Sequence, residues 1–396
     1  MGTEVNSLFF AVLRSVFHGK PISDGERTRF TREQLPELQC LAQKHDLAHL
    51  LAMGLADNRL YLDEAVRMKQ TMFQAAYRYE KLNQELLRAC AALEAAQIPF
   101  IPLKGSVLRS FYPEPWMRTS CDVDILVRSE DVERAADYLV EKCQYTKKGH
   151  GTHDISLYSQ GGNHVELHYD LVENGWAGVS AKILRQVWDT AHVKSGYAFW
   201  REMADEMFYF YHIAHMAKHF EQGGCGVRPF IDLWILDHME GINITKRDNL
   251  LAQGGLLQFA HSARKLCRVW MDAAAPDAVT EKMENYIIRG GVYGSTPNRI
   301  EIQQQQKGGR LEYALSKIVI PYEVIKYHYP ILQKHRWLTP LMQVRRWCKL
   351  MFCGHAKQSL RELSYSQRIS KEKEADAEEM LREVGLQANA NACGKM

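Results

Sequence analysis

The chain has 396 residues, which predicts two or three structural units. Its composition, with 46% hydrophobic and 24% charged residues, is typical of soluble globular proteins and excludes a disordered or fibrous chain. The 50 Lys and Arg against 47 Asp and Glu give a formal net charge of +3, which excludes a surface that is strongly basic throughout.

Residues 1–96 are predicted to form an N-terminal helical region. No Gly or Pro occurs from Glu64 to Ala96, and residues with high helix propensity dominate this stretch. Apolar residues recur there at a spacing of three or four, which predicts one apolar stripe. The stripe consists of Leu82, Leu86, Leu87, Cys90 and Leu93. We expect the helix to end near Gln97, just before two prolines.

Residues 97–178 are predicted to form a small core with strands. Asp122–Val127 has the pattern of a strand, whereas Ile98–Leu103 contains two prolines and is expected at a sheet edge or a strand start. A helix is predicted to follow, with Ser129 as its N-cap. Two further strands are predicted at Asp154–Ser159 and His164–Leu171.

Residues 179–369 are predicted to form a larger C-terminal helical domain. Within it, residues 303–309 are rich in Gln and Gly and are predicted to be an exposed loop. Residues 370–396 are predicted to form a charged tail, helical at first and frayed at its end.

Three acidic residues occupy positions that suit a shared metal site. Side chains alternate along a strand, so Asp122 and Asp124 project from one face of the predicted strand. Two carboxylates this close repel each other, and a divalent cation that prefers oxygen ligands, such as Mg²⁺, would compensate for the repulsion. Glu166 shares a face of the last predicted strand with His164 and His168. If the two strands are neighbours, Glu166 supplies a third carboxylate.

Lys104, Gly105 and Ser106 have the composition of a phosphate-binding turn. Glycine lets the backbone approach a phosphate closely, and N–H groups at a helix start favour an anion. Ser106 adds a hydroxyl group and Lys104 adds a positive charge. The fifteen residues between Ser106 and Asp122 include two prolines, which indicate a loop rather than a continuous helix.

The order of these motifs resembles that of the nucleotidyltransferase superfamily that shares the DNA polymerase β catalytic core. There a Gly-Ser, an Asp-x-Asp strand and a third acid on a later strand follow one another. More narrowly, the chain resembles a family of uncharacterised bacterial nucleotidyltransferases. The matching positions are Leu103-Lys104-Gly105, Tyr112-Pro113, Arg118, Asp122–Val127 and Val165-Glu166-Leu167-His168.

This resemblance implies an α+β fold, with a small mixed-sheet nucleotidyltransferase core between N-terminal and larger C-terminal helical regions. It also implies a Mg²⁺-dependent enzyme that binds a nucleoside triphosphate (NTP), ATP among them. The enzyme would transfer a nucleoside monophosphate from the NTP to an acceptor hydroxyl and release pyrophosphate. The acceptor class, whether a small molecule, a protein or RNA, stays open.

The resemblance further implies roles for individual residues. The catalytic residues, which would also hold two Mg²⁺ ions, are Asp122, Asp124 and Glu166. The residues expected to bind the nucleotide are Lys104, Gly105, Ser106 and Arg118. Lys104 and Arg118 would neutralise the pyrophosphate leaving group. Two alternatives are open: Lys104 could face solvent, and Arg118 could pair with Asp122 or Glu114 as structural support.

Two other functions are weighed against this one. The chain could be a non-catalytic module that keeps the fold and binds a nucleotide or a partner. It could also bind RNA through residues 324–361, which contain eight Lys or Arg, no Asp or Glu, and interleaved aromatic residues. The same composition suits a helix with solvated basic side chains and an aromatic core face, and we favour that interpretation over nucleic-acid binding.

Two further groups of residues have open roles. His215 and His219 are four residues apart, with His212 one turn earlier, which could form a metal-binding face. The Glu of an H-E-x-x-H motif is missing, however. The family resemblance leaves contact with the nucleotide or the acceptor open, and a packed aromatic helix is the favoured interpretation. Arg228 and Asp232, also four apart, could form a helical ion pair or face the cleft.

The cysteines and the apolar segments indicate a cytoplasmic protein. The nine cysteines are an odd number, are widely scattered and form no C-x-x-C pair. No run of 18 apolar residues is present, and the N-terminus lacks the pattern of a signal peptide. We therefore expect a reducing compartment and no membrane association.

Overall fold

The computed structural model describes residues 3–172, 178–292, 294, 298, 300, 319–322, 325–326, 329, 331–352 and 379–386. The predicted loop at 303–309 and most of the predicted tail at 370–396 lie outside these residues. Helices flank one five-stranded mixed sheet, which confirms the predicted α+β class. Within the described ranges, the helices are too short or too polar to cross a lipid bilayer.

The N-terminal region is helical, as predicted. Its α-helices span Thr3–His18 (α1), Asp24–Arg27 (α2), Leu35–Lys44 (α3), Ala48–Asp57 (α4) and Leu62–Ala95 (α5). The long helix α5 contains the predicted apolar stripe and ends two residues before Gln97. Leu82, Leu86 and Leu93 are buried in the core beneath the sheet, whereas Leu87 is exposed.

The sheet has the strand order β1-β2-β5-β4-β3. Its strands span Phe100–Pro102 (β1), Asp122–Val127 (β2), Thr146–His150 (β3), Asp154–Tyr158 (β4) and His164–His168 (β5). The strands β2 and β5 are parallel, and the other neighbours are antiparallel. The proline-containing β1 lies at the end of this order, as predicted. The strand β3 was not predicted, because its residues are all exposed and lack apolar alternation.

Short helices fill the connections around β2. The segment between β1 and β2 contains α6 (Gly105–Leu108) and two 3₁₀ helices, and it forms no continuous helix, as predicted. The helix α7 (Val132–Cys143) follows β2 but does not begin at the predicted cap. Its N-cap is Asp131, because the carbonyl group of Asp131 accepts the first helical hydrogen bond, from Ala135. The prediction of Ser129 as the N-cap is therefore wrong.

The two faces of β2 pack into different cores. Val123, Ile125 and Val127 are buried with α5 and α7 beneath the sheet. Leu126 points to the other face and joins the larger core formed by the helical regions. Since side chains alternate along a strand, Asp122 and Asp124 lie on the same face as Leu126. The polar residues of β2 therefore point toward the C-terminal helices.

The region after the sheet is mainly helical, as predicted. Its elements are α8 (Val179–Leu184), α9 (Val187–Thr190), β6 (His192–Val193), β7 (Arg201–Glu202), α10 (Asp205–Glu221), α11 (Arg228–Asp237), α12 (Ile244–Gln253), α13 (Leu257–Met271), α14 (Ala278–Arg289), α15 (Ile331–Lys334) and α16 (Thr339–Phe352). The β6–β7 hairpin was not predicted. Helix α1 packs against both α4 and α13, and Phe10 stacks on Trp270 at 4.4 Å, so the two helical regions share one core.

The basic segment at 324–361 is described only in part. Its Arg336 guanidinium lies 4.5 Å from the ring centre of Tyr322, and the Arg345 guanidinium lies 5.8 Å from that of Tyr329. Trp337 is exposed. Some of the basic side chains therefore cover aromatic rings of the chain itself, and RNA binding by this segment stays an untested prediction.

Candidate active site

The parallel pairing of β2 and β5 brings the predicted acids together. Asp122 lies opposite His164, and Asp124 lies opposite Glu166. Two groups of side chains could each hold a metal ion, because the ligand atoms within each group lie within 4.8 Å of one another. The first group is Asp122, His164 and Glu166, and the second is Asp124, Glu166 and His168. Glu166 belongs to both groups. The strands are thus neighbours, which is the condition on which the sequence-based prediction depended.

Asp124 is the most enclosed of the three acids. Nζ of Lys104 donates a hydrogen bond to Oδ1 of Asp124 at 3.0 Å, and Nε2 of His168 lies 2.7 Å from the same oxygen. Burial alone would raise the pKa of Asp124, but Lys104 and His168 hold it well below its ordinary value. Burial likewise opposes the charge on Lys104, and Asp124 nevertheless raises the pKa of the lysine. Both groups are therefore charged at neutral pH.

The backbone of Lys104 adopts an unusual conformation, with φ 44° and ψ −123°. A residue with a side chain rarely takes a positive φ, and the surrounding structure must hold it there. On one side, the N–H of Leu103 donates to the carbonyl of Asp124 at 2.9 Å. On the other, the N–H groups of Val107 and Leu108 donate to the carbonyl of Lys104. This turn aims the ammonium group at β2.

Asp122 differs from Asp124 in its electrostatic environment. Burial and the neighbouring Asp124 carboxylate raise the pKa of Asp122, and Lys104, which opposes this rise, forms its ion pair with Asp124. Nδ1 of His164 lies 3.6 Å from Glu166. Three carboxylates and two imidazoles on one sheet face form a donor set that fits a divalent cation with oxygen ligands.

A cavity of about 350 Å³ adjoins the acids. It is lined on the sheet side by Lys104 and Gly105, and on the side of the C-terminal helices by basic residues that include Lys218 and Arg228. A Cβ at Gly105 would lie 3.3 Å from Cβ of Ser120, so a side chain at this position would crowd the wall. Asp122, Asp124 and these cations thus face one space, which suits a polyphosphate held together with a metal ion.

Arg118 lies in this wall and forms a buried ion pair. Its guanidinium donates to both carboxylate oxygens of Asp232, at 2.8 and 2.9 Å. The hydroxyl of Tyr112 donates to the same carboxylate at 2.7 Å. Arg118 thus pairs with neither Asp122 nor Glu114, the two partners considered from the sequence.

Arg228 does not pair with Asp232, so the proposed helical ion pair is wrong. Nη1 of Arg228 instead donates to the Asp46 carboxylate at 3.2 Å and to the Thr119 carbonyl at 2.9 Å. Both Arg228 and Asp232 line the cavity, which was the other interpretation. The bidentate contact from Arg118 already occupies both carboxylate oxygens of Asp232, and Arg228 therefore reaches Asp46 on the N-terminal region.

The structure does not bring the Ser106 hydroxyl to the acids. The backbone N–H of Ser106 donates to the Leu103 carbonyl at 3.0 Å. Its side chain lines a different cavity, and among the described residues its Oγ has no hydrogen-bond partner. Of the predicted nucleotide-binding residues, Lys104, Gly105 and Arg118 thus line the cavity beside the acids, whereas Ser106 does not.

The histidines of α10 point to the same cavity but form no metal group. His215 and His219 both line it, with their Nε2 atoms 3.1 Å apart. Burial and the neighbouring His219 lower the pKa of His215 well below its ordinary value. Within the described ranges, the groups of potential metal ligands lie on β2 and β5, not on α10. Zinc binding by this helix is therefore not supported.

One contributor to the site was missed in the sequence. Arg109 is buried behind Gly105, donating from Nε to the Gly105 carbonyl at 2.7 Å and from Nη2 to Oγ of Ser120 at 2.8 Å. Burial and the nearby Arg118 lower its pKa to about 10. Arg109 follows Gly105 by four residues, and this helical spacing is the signal that could have identified it.

The comparisons with known proteins agree with this geometry. A profile of a family described as uncharacterised nucleotidyltransferase matches residues 31–272, a span that contains the five-stranded sheet, the acids and every cavity-lining residue except Val292. Neither a curated protein nor a solved structure matches the chain. Because the matched region covers more than half of the residues, the chain belongs to this family of uncharacterised nucleotidyltransferases.

Proposed function

We propose that the protein transfers a nucleoside monophosphate from an NTP to an acceptor hydroxyl, with release of pyrophosphate and with Mg²⁺ as the cofactor. The observation that carries this proposal is the register of β2 and β5, which sets Asp122, Asp124 and Glu166 on one face beside a cavity with basic walls. Family membership supports the same general activity.

The chain contributes charge and position to the reaction. Lys104 and Arg228 line the cavity as cations that would bind the triphosphate, and Arg118 adds a fixed positive charge held by Asp232. Mg²⁺ held by the three carboxylates would supply the charge neutralisation that in-line displacement at the α-phosphate needs. Glu166 is half-buried, like Asp122, and would complete the metal site on the side where the acceptor hydroxyl attacks.

Lys104 has two states in this proposal. Without a nucleotide its ammonium group is paired with Asp124. When the triphosphate enters, the same ammonium group would share its donors between Asp124 and a phosphate oxygen, since an ammonium carries three N–H donors. The strained turn keeps the ammonium group in reach of both.

The proposal is tested by thermal stability with each NTP. ATP, GTP, CTP and UTP are added separately, with and without Mg²⁺, to the wild type and to the Asp122→Asn/Asp124→Asn variant. We expect at least one NTP to raise the melting temperature of the wild type only when Mg²⁺ is present, and to leave the variant unchanged. Asp63→Asn, at an exposed acid on α5, is the matched control and should respond like the wild type.

Failure of every NTP to shift the wild type would contradict the proposal, as would an equal shift in the double variant. Transfer itself is then followed with an α-³²P-labelled form of the NTP that binds. Label on an acceptor together with pyrophosphate release separates an enzyme from a module that only binds the nucleotide.

A further inference from the structure

A second cavity lies across the Lys104–Leu108 turn from the acids. It has a volume of about 400 Å³, within the range of small-molecule sites. Its walls come from the C-terminal half of α5, the β6–β7 hairpin and the facing parts of α10 and α11. Gly105 lines the first cavity and Ser106 lines the second, while Phe208 lines both. The two cavities are therefore adjacent but open on opposite sides of one turn.

Two buried polar atoms on this cavity lack partners. Among the described residues, Oγ of Ser106 and Nε of Arg201 are shielded from solvent and make no hydrogen bond. Both side chains line the second cavity. A buried donor without an acceptor is costly in free energy, and native structures usually satisfy it with protein, water or a ligand. An acceptor group on a ligand in the cavity would satisfy such a donor.

The charge on Arg201 is also uncompensated within the described ranges. The neighbouring carboxylate of Glu202 is engaged by the ammonium group of Lys194, and His192 lies 3.9 Å from it. Asp205, the other acid on the lining, is exposed to water. In the described part of the chain, no acid lies within ion-pair distance of Arg201. The buried side of this cavity thus presents a guanidinium group that suits an oxyanion.

Part of the remaining wall is apolar and firmly held. Leu86, Phe111 and Phe208 line the cavity together with Trp200. The hairpin that carries Trp200 is anchored to α5 because the Glu94 carboxylate accepts hydrogen bonds from three successive backbone N–H groups, at residues 198–200. The cavity wall is therefore formed before any ligand arrives.

We infer that this cavity binds an amphipathic small molecule, with an aromatic or aliphatic body against the apolar wall and one anionic group on Arg201 and Ser106. The inference does not depend on nucleotidyl transfer, because the cavity and its unpartnered donors stand apart from the acids on β2 and β5.

The test uses two fluorescent probes that differ in one anionic group. 1-Anilinonaphthalene-8-sulfonate carries a sulfonate, and N-phenyl-1-naphthylamine has the same aromatic body without it. Each is titrated into the full chain as wild type, as Arg201→Gln and as the control Arg67→Gln, an exposed arginine on α5. We expect Arg201→Gln to raise the Kd of the sulfonate probe about tenfold and to leave the Kd of the neutral probe unchanged. Arg67→Gln should change neither.

A second variant keeps the inference falsifiable if Arg201→Gln fails to fold. Ser110 is exposed and lines the same cavity, and its hydroxyl donates to the Val107 carbonyl. Ser110→Trp should obstruct the cavity and weaken binding of both probes. Equal affinity of the two probes for the wild type, an Arg201→Gln effect no larger than that of Arg67→Gln, or full probe binding by Ser110→Trp would overturn the inference.

Discussion

Asp124 and Asp232 line the same cavity, and each is buried against one cation, yet the two pairs differ in how tightly they are closed. Arg118 contacts both oxygens of Asp232, and their side chains are 9% and 1% exposed. Lys104 contacts one oxygen of Asp124, and its side chain is 24% exposed. The Arg118–Asp232 pair connects the segment before β2 to α11. The Lys104–Asp124 pair leaves the ammonium group of Lys104 accessible to a ligand.

This difference shows that the charged partner of a buried acid, rather than burial itself, decides whether its pKa lies above or below the ordinary value. Burial would raise the pKa of Asp232, but Arg118 holds it below its ordinary value. Glu221, near the C-terminal end of α10, is half-buried, and no cation lies within ion-pair distance of it in the described part of the chain. Burial alone therefore raises its pKa to about 7.

The largest effect is expected for the loss of the Arg118–Asp232 pair. Asp232→Ala leaves the Arg118 guanidinium buried without a counter-ion, and loss of one partner from a buried pair typically costs about 3–5 kcal/mol. We expect urea denaturation to show a fall of this size in the free energy of unfolding. Asp63→Ala, at an exposed pair with Arg32, should cost far less. Equal losses in the two variants would contradict the larger cost expected for the buried Arg118–Asp232 pair.

The second prediction concerns the acid without a partner. Between pH 4.5 and about 7 the folded chain keeps a proton on Glu221 that the unfolded chain loses, so the free energy of unfolding falls as the pH rises. The shift corresponds to about 3 kcal/mol across this window. Glu221→Gln should lack this slope and be more stable than the wild type at pH 8.

Urea melts at pH 5 and pH 8 measure the free energy of unfolding of Glu221→Gln and of the wild type. The difference between the two proteins cancels the contributions of the other titrating groups. Glu240→Gln, at an exposed glutamate, is the matched control. If the difference for Glu221→Gln is the same at both pH values, Glu221 does not carry a raised pKa.

The third prediction concerns the Lys104–Asp124 pair. Asp124→Asn removes a proposed metal ligand, and even partners of metal ligands contribute about 10–100-fold to metal affinity. We therefore expect the apparent Kd for Mg²⁺, measured in the presence of the stabilising NTP, to rise about 100-fold. The free energy of unfolding should fall less than in Asp232→Ala, because Lys104 can turn its ammonium group to solvent. Unchanged Mg²⁺ affinity would contradict the role of Asp124.

The smallest expected effect concerns an acid whose partners are backbone groups. Glu94→Gln keeps an acceptor for residues 198–200 but loses the charge that strengthens these bonds, at a cost of about 1–2 kcal/mol. Hydrogen exchange of the amides at 198–200 should accelerate, whereas Glu80→Gln, at an exposed position of the same helix, should leave it unchanged. Equal exchange in both variants would show that Glu94 does not anchor the hairpin.

Local patterns were sufficient to predict the acid-bearing strands. Alternation along a strand is a property of neighbouring residues, so the shared face of Asp122 and Asp124, and the face of Glu166, could be derived from the sequence. That β2 and β5 are neighbours was a condition of the prediction, which the structure meets. The family resemblance, rather than composition, supplied the reason to connect them.

Other features depend on contacts between distant residues. Arg118 and Asp232 are 114 positions apart, and no local pattern marks them as partners. The helical spacing of Arg228 and Asp232 suggested the wrong pair, because a buried bidentate contact outcompeted it. The direction of the Ser106 side chain depends on the strained conformation of Lys104, which a Lys-Gly dipeptide does not reveal.

The parallel pairing of β2 and β5 also has a kinetic consequence. A parallel pair cannot close through a tight turn, and here α7, β3 and β4 lie between the two strands. Contacts that close such a long loop form slowly. A partly synthesised chain that ends after β2 would carry both aspartates and lack Glu166. The proposed Mg²⁺ site would therefore form late in folding, and the recovery of Mg²⁺ binding after dilution from denaturant would report when the sheet is complete.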